Sequence, residues 1–219
     1  MTFCLDTIII KPENAQQIEN AVILFHGYGG DGNDISTICL NWKRHMPNTV
    51  FICPNGHEKC AINPSGFQWF DLTKEDTDYI LKESIKAENI IKKFINEVKQ
   101  EFNLENNRIC LSGFSQGCMI SLNVGLTSEE KFLCIVGFSG KIIDEKDLES
   151  RKKISANILL THGENDEIVS PNFMLAAKDF FIRNNINNET HLIKNCGHHI
   201  PVEASSIALN YISKKFNNS

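Results

Sequence analysis

Short, unbroken apolar runs punctuate the chain. Residues 21–25, 49–53, 109–111 and 132–138 are each almost wholly hydrophobic, and 157–161 has an apolar centre, Ile158-Leu159-Leu160; together they are rich in Val, Ile, Leu and Phe. Runs of this length without polar alternation predict strands buried on both faces of a sheet. A β-branched run over 7–10, stopped by Lys11-Pro12, predicts a first or edge strand, and residues 190–193 predict a short last one. Between them the apolar spacing lengthens. Ile90, Ile91, Phe94, Ile95, Val98 and Phe102 keep a 3.6-residue period, so 79–102 predicts a long amphipathic helix. Shorter helices are expected over 35–44, capped by Asp34, and over 119–126, 173–182 and 202–216. Residues 145–153 are dense in charge and read as an exposed segment. Strands that alternate with helices predict an α/β fold with a mostly parallel central sheet and helices on both faces.

The polar punctuation falls after the strands. The run 109–111 leads into Gly113-Phe114-Ser115-Gln116-Gly117, a Gly-x-Ser-x-Gly between a strand and a helix. That is the setting of a nucleophile elbow, with Ser115 on a sharp turn and the Gln116 N–H at a helix N-terminus. The run 21–25 leads into His26-Gly27-Tyr28-Gly29-Gly30-Asp31-Gly32. This loop lacks both a Gly-Lys-Ser/Thr and a Gly-x-Gly-x-x-Gly, so it is neither a P-loop nor a dinucleotide fingerprint. A His-Gly loop after a strand fits a second oxyanion donor.

A serine hydroxyl needs an adjacent base, and the base an orienting acid. His198 and His199 follow the last strand, which places them after serine and acid in chain order. Gly197 allows His198 a close approach, and His199 is the second candidate. Asp166, four residues past His162 at a strand end, is the candidate acid. Sites of parallel sheets gather at the carboxyl ends of strands, and all four loops lie there. The irregular stretch 55–71 carries Phe67, Trp69 and Phe70. Trp69 and Phe70 either wall an apolar acyl pocket or simply cover the core.

Composition narrows the classes. The chain has 219 residues, enough for one domain spanning 1–219. A net charge of -5 gives no basic footprint for nucleic acid. No apolar run is long enough to span a membrane. The first residues have no basic stretch and are interrupted by Asp6 and Lys11, unlike a secretory signal. The eight cysteines form no Cys-x-x-Cys, so zinc-type spacing is absent and no metal site is expected. Without an export signal they read as reduced thiols of a cytoplasmic protein.

Taken together, 25–34, Asn63-Pro64 with Gln68-Trp69-Phe70, 113–117, 162–166 with Val169, and 197–200 resemble the phospholipase/carboxylesterase family of serine hydrolases, which includes acyl-protein thioesterases. The resemblance covers the chain from about residue 21 onward. It implies a compact α/β-hydrolase without a large cap domain, a Ser115–His198–Asp166 triad, and backbone oxyanion donors at Tyr28 and Gln116. It further implies two-step acyl transfer from an ester or thioester to water, with no metal or cofactor. Substrates of this kind include small acyl esters, acylated proteins and lysophospholipids. An acyltransferase with the same triad and a non-catalytic binding protein of this fold remain as alternatives. Oligomeric state is not legible. Two positions depart from the family's pattern. Cys118 stands where a small residue such as glycine is common, which would crowd the elbow helix. Tyr28 replaces a leucine of some thioesterase relatives, which would alter an acyl pocket but not a backbone donor.

Overall fold

The computed structural model describes residues 3–13 and 18–218. Among the described residues seven strands form the main sheet: β1 (Thr7–Ile10), β2 (Asn20–Phe25), β3 (Thr49–Pro54), then, after a small hairpin, β6 (Ile109–Phe114), β7 (Cys134–Phe138), β8 (Asn157–Gly163) and β9 (Asn187–Ile193). Their spatial order is β1-β3-β2-β6-β7-β8-β9. Only β1 runs antiparallel to its neighbour; the other pairings are parallel. The hairpin, β4 (Glu58–Lys59) with β5 (Phe67–Gln68), lies within the stretch that the sequence leaves irregular.

The continuous apolar runs sit where both faces are covered. Along β2, Ala21, Ile23 and Phe25 join a core with α2 (Thr77–Phe102) and α3 (Gln116–Thr127), while Val22 and Leu24 face α1 (Gly32–Trp42) and α6 (Val202–Asn217). Period-two alternation thus sends successive side chains to two different cores. A third cluster packs α3 against α5 (Asn172–Arg183) through Cys118, Leu122, Met174 and Phe181. Every residue of α3 is buried, which is why its sequence is apolar all round.

Several boundaries differ from the sequence reading. Helix α1 starts at Gly32, and its cap is Asp31, whose Oδ1 accepts from the Asp34 amide at 2.8 Å; Asp34 lies inside the first turn. Strand β9 begins at Asn187 because polar residues serve on an edge strand, where Asn187 and Asn188 pair with Asn157 and Ile158. The charged segment is not simply exposed. Residues Glu145–Arg151 form α4, capped by Asp144, with Leu148 buried. Its Arg151 bonds both Asp147 and Glu88 of α2. Glu88 is buried, and burial alone would raise its pKa. Bonds from Lys92, Thr127 and Arg151 outweigh that and hold it below its ordinary value. Charges that look solvated in sequence are here partners of a buried carboxylate.

Candidate active site

Four loops converge at the carboxyl edge of the sheet. Ser115 follows β6, Asp166 follows β8, His198 follows β9, and Tyr28 follows β2. Ser115 has φ 53° and ψ −115°, a region that side chains rarely enter and that costs about 1–3 kcal/mol. The turn is held by the Ser115 amide, which donates to Phe138 O at 2.8 Å. It also needs its two glycines. A Cβ on Gly113 would lie 2.3 Å from Gly117 O, and one on Gly117 would lie 2.1 Å from Phe25 O. Strand and helix approach more closely here than any side chain allows.

Ser115 Oγ lies 3.0 Å from His198 Nε2, and His198 Nδ1 lies 2.8 Å from Asp166 Oδ2. A carboxylate can only accept, so Nδ1 carries the proton and Nε2 is left as the acceptor for the serine hydroxyl. The other carboxylate oxygen accepts from the Ile168 and Val169 amides at 3.0 and 2.9 Å. Burial pushes the Asp166 pKa up. The bond from His198 and the two amides overcome this, so the group is held below the usual carboxylate range and stays ionised. The Phe114 ring packs on the His198 imidazole with centroids 4.8 Å apart. His199 points elsewhere: its Nε2 lies 3.8 Å from Cys196 Sγ.

His162, at the end of β8, is a neighbour of Asp166. It is buried, its Nε2 donates to Val169 O at 2.7 Å, and the same atom lies 3.3 Å from Asp166 Oδ2. Burial lowers its pKa, so the ring is neutral. It thereby ties the loop that carries Asp166 to the end of β8.

The glycine loop lies against the elbow: a Cβ on Gly27 would be 3.4 Å from Ser115 Cβ. Neither the Tyr28 nor the Gln116 amide donates to a protein acceptor among the described residues. The Gln116 side chain is buried and turned the other way. Its Oε1 accepts from Trp69 N at 2.9 Å, and its Nε2 donates to Phe70 O at 2.6 Å.

Trp69 and Phe70 therefore do not open onto a cleft. They are 0% and 1% exposed and belong to the core under β2 and α3. Trp69 Nε1 donates to His26 O at 2.9 Å, and its indole meets Phe25 edge-on. The aromatic pair backs the glycine loop from the interior. Cys118 is accommodated without distortion of the elbow, because Gly137 on β7 and Gly140 beyond it leave room for its sulfur. Burial pushes that thiol up to about 12.

Among the described residues no group of three or more His, Cys, Asp or Glu side chains is placed to hold a metal ion. None of their helices is long and apolar enough to cross a membrane.

Comparison with known proteins places the whole chain. The profile of the phospholipase/carboxylesterase family matches residues 6–216. Acyl-protein thioesterase 1 of Schizosaccharomyces pombe is 28% identical over 198 residues, covering 85% of this chain and 84% of its own. Acyl-protein thioesterase 1 of Gibberella zeae is 32% identical over 173 residues, with 71% and 73% covered. Among solved structures, that of esterase PE8 superposes with a TM-score of 0.91 at 29% identity, covering 96% of this chain and 98% of its own. The chain therefore belongs to the phospholipase/carboxylesterase family and is an α/β-hydrolase that cleaves carboxylic ester or thioester bonds.

Proposed function

We propose that Ser115 is the nucleophile, His198 the general base and acid, and Asp166 the group that orients His198. The observation that carries this reading is the unbroken pair of hydrogen-bond distances, 3.0 Å from Ser115 Oγ to His198 Nε2 and 2.8 Å from His198 Nδ1 to Asp166 Oδ2. His198 takes the hydroxyl proton as Oγ attacks the acyl carbon. The negative charge that gathers on the carbonyl oxygen is met by the Tyr28 and Gln116 amides. The tetrahedral species collapses, the alcohol or thiol leaves with the proton from His198, and an acyl-serine remains. Water, activated by the same imidazole, then attacks and releases the acid. Preorganised amides of this kind typically contribute several kcal/mol, since they need no reorientation as charge develops. No step calls for a metal or cofactor.

The substrate we assign is an acyl ester or thioester, with acylated proteins and lysophospholipids as the larger members of that class. The named activity of the fungal relatives supports the acylated-protein member. Exposed apolar side chains in or beside the loops that carry the site support an acyl-bearing substrate: Ile62 in the hairpin, Ile168 two residues past Asp166, and Val202 shortly after His198.

A fluorophosphonate probe tests the nucleophile directly. Covalent labelling should map to Ser115 by mass spectrometry and disappear in Ser115→Ala. Labelling at another residue would overturn the assignment.

A further inference from the structure

We propose that His26 is a positioning residue of the oxyanion site: its Nδ1–H holds the Gly27 carbonyl so that the Tyr28 N–H faces the reacting acyl group. This rests on the oxyanion role assigned to Tyr28 above.

The protonation state of the ring follows from its partners. His26 is 1% exposed, at the end of β2. Its Nε2 lies 2.9 Å from the Gly56 amide nitrogen, which can only donate. Nε2 is therefore bare, and a neutral imidazole must carry its single proton on Nδ1. Nδ1 lies 2.7 Å from Gly27 O and donates to it. A charged ring would set a second N–H against the Gly56 N–H. Burial, which lowers the His26 pKa, agrees with the neutral form.

The consequence lies one bond further on. In a trans peptide the C=O and N–H point in opposite directions. Fixing Gly27 O on the interior side therefore fixes the Tyr28 N–H on the other. The Gly30 amide adds a second bond to Gly27 O at 3.1 Å. The surrounding loop is tied down as well. Trp69 Nε1 holds His26 O, Gly29 N donates to Phe67 O at 2.9 Å, Phe67 N donates to Gly30 O at 2.8 Å, and Asn63 Nδ2 donates to Gly29 O at 2.7 Å. A loop with Gly27, Gly29 and Gly30 has wide backbone freedom when left to itself. A donor displaced by about 1 Å loses much of its effect on a transition state. An apolar residue could fill the space taken by the ring. It could not hold the one carbonyl whose direction sets the Tyr28 amide.

Two substitutions separate the two ring nitrogens. In His26→Asn the side-chain NH2 falls near the place of Nδ1 and can still donate to Gly27 O. In His26→Gln the amide reaches the place of Nε2 and can accept from Gly56 N, but the donor to Gly27 O is gone. Each variant loses one hydrogen bond, so their melting temperatures should be similar. For His26→Gln, kcat on a p-nitrophenyl ester should fall about 100-fold with KM little changed, approaching the loss of a whole oxyanion donor. Affinity for a trifluoromethyl ketone, which forms an oxyanion on the serine, should fall by the same factor. His26→Asn should lose at least about tenfold less. The proposal is overturned if His26→Gln keeps kcat within about threefold of wild type, or if both variants lose kcat equally. A second measurement needs no variant. Nitrogen-15 NMR of the wild-type protein should show His26 as the Nδ1–H tautomer, and an Nε2–H tautomer would overturn the proposal. Ser115→Ala assayed alongside separates the two levels. An active Ser115→Ala would sink the triad reading itself, whereas an inactive one beside a normal His26→Gln would sink only the role of His26.

Discussion

The side-chain oxygen of Gln116 accepts from the Trp69 amide at 2.9 Å across 47 residues of sequence. Its nitrogen donates to Phe70 O, so one amide group pairs with two backbone groups as a strand neighbour would. Gln116 thus has two separate tasks. Its backbone is assigned to the oxyanion, and its side chain fastens the aromatic segment behind the glycine loop. Gln116→Ala keeps the first and abolishes the second, leaving the Trp69 N–H and Phe70 C=O buried and unpaired. Each orphaned group costs about 1–3 kcal/mol. Urea unfolding should therefore show a loss of about 2–6 kcal/mol. An unchanged unfolding midpoint would show that the clamp contributes nothing.

This pairing marks where the sequence stops being legible. Ser115, Asp166 and His198, the residues of the proposed triad, each follow a readable strand, inside a short pattern whose chemistry needs those residue types in that order. The interior strands are equally plain, since β2, β3 and β7 are buried along their whole length, and β6 up to Phe114, and say so in Val, Ile, Leu and Phe. Trp69 and Phe70 are different. A local pattern reveals that a segment carries aromatics, but whether they face a cleft or the interior depends on Gln116 and His26, far away in the chain. Helix α4 fails to stand out for the same reason. Its one buried apolar residue, Leu148, gives no period, and the partner of Arg151 is Glu88, which is 63 residues distant. The polar start of β9 is hidden because an edge strand needs no apolar run.

The buried histidines predict a specific acid sensitivity. His26 and His162 both have pKa values lowered, first of all by burial. Above the unfolded value of about 6.5 both are neutral in either state, and the full stability is present. As the pH falls below that value the unfolded chain takes up protons that the folded one refuses, so stability declines until the folded pKa values are passed. Asp166 acts in the opposite window. Its lowered pKa contributes stability that is lost only below about pH 4. Urea midpoints measured from pH 7.5 to pH 5 should therefore fall across the histidine window. A flat profile over that range would contradict the neutral, buried assignment of both rings.

Cys118 and Gly137 should behave as a coupled pair. A Cβ on Gly137 would lie 2.3 Å from Cys118 Sγ and 2.7 Å from Leu160 Cδ2. Gly137→Ala should cost about 1–3 kcal/mol through overpacking. Adding Cys118→Ala removes the nearer obstacle, so the double variant should recover part of the loss, with a coupling of about 0.5–3 kcal/mol in a double-mutant cycle. Strict additivity would mean that the sulfur does not set the space above the sheet.

Ser115 is the residue proposed to perform the chemistry. The most direct measurement is hydrolysis of p-nitrophenyl esters from acetate to dodecanoate by the wild-type protein and Ser115→Ala, prepared and assayed side by side. With Ser115 as nucleophile, the substitution lowers kcat by at least about 10³-fold on every ester the wild type hydrolyses, with the fold and melting temperature retained. Equal rates in the two proteins would contradict it.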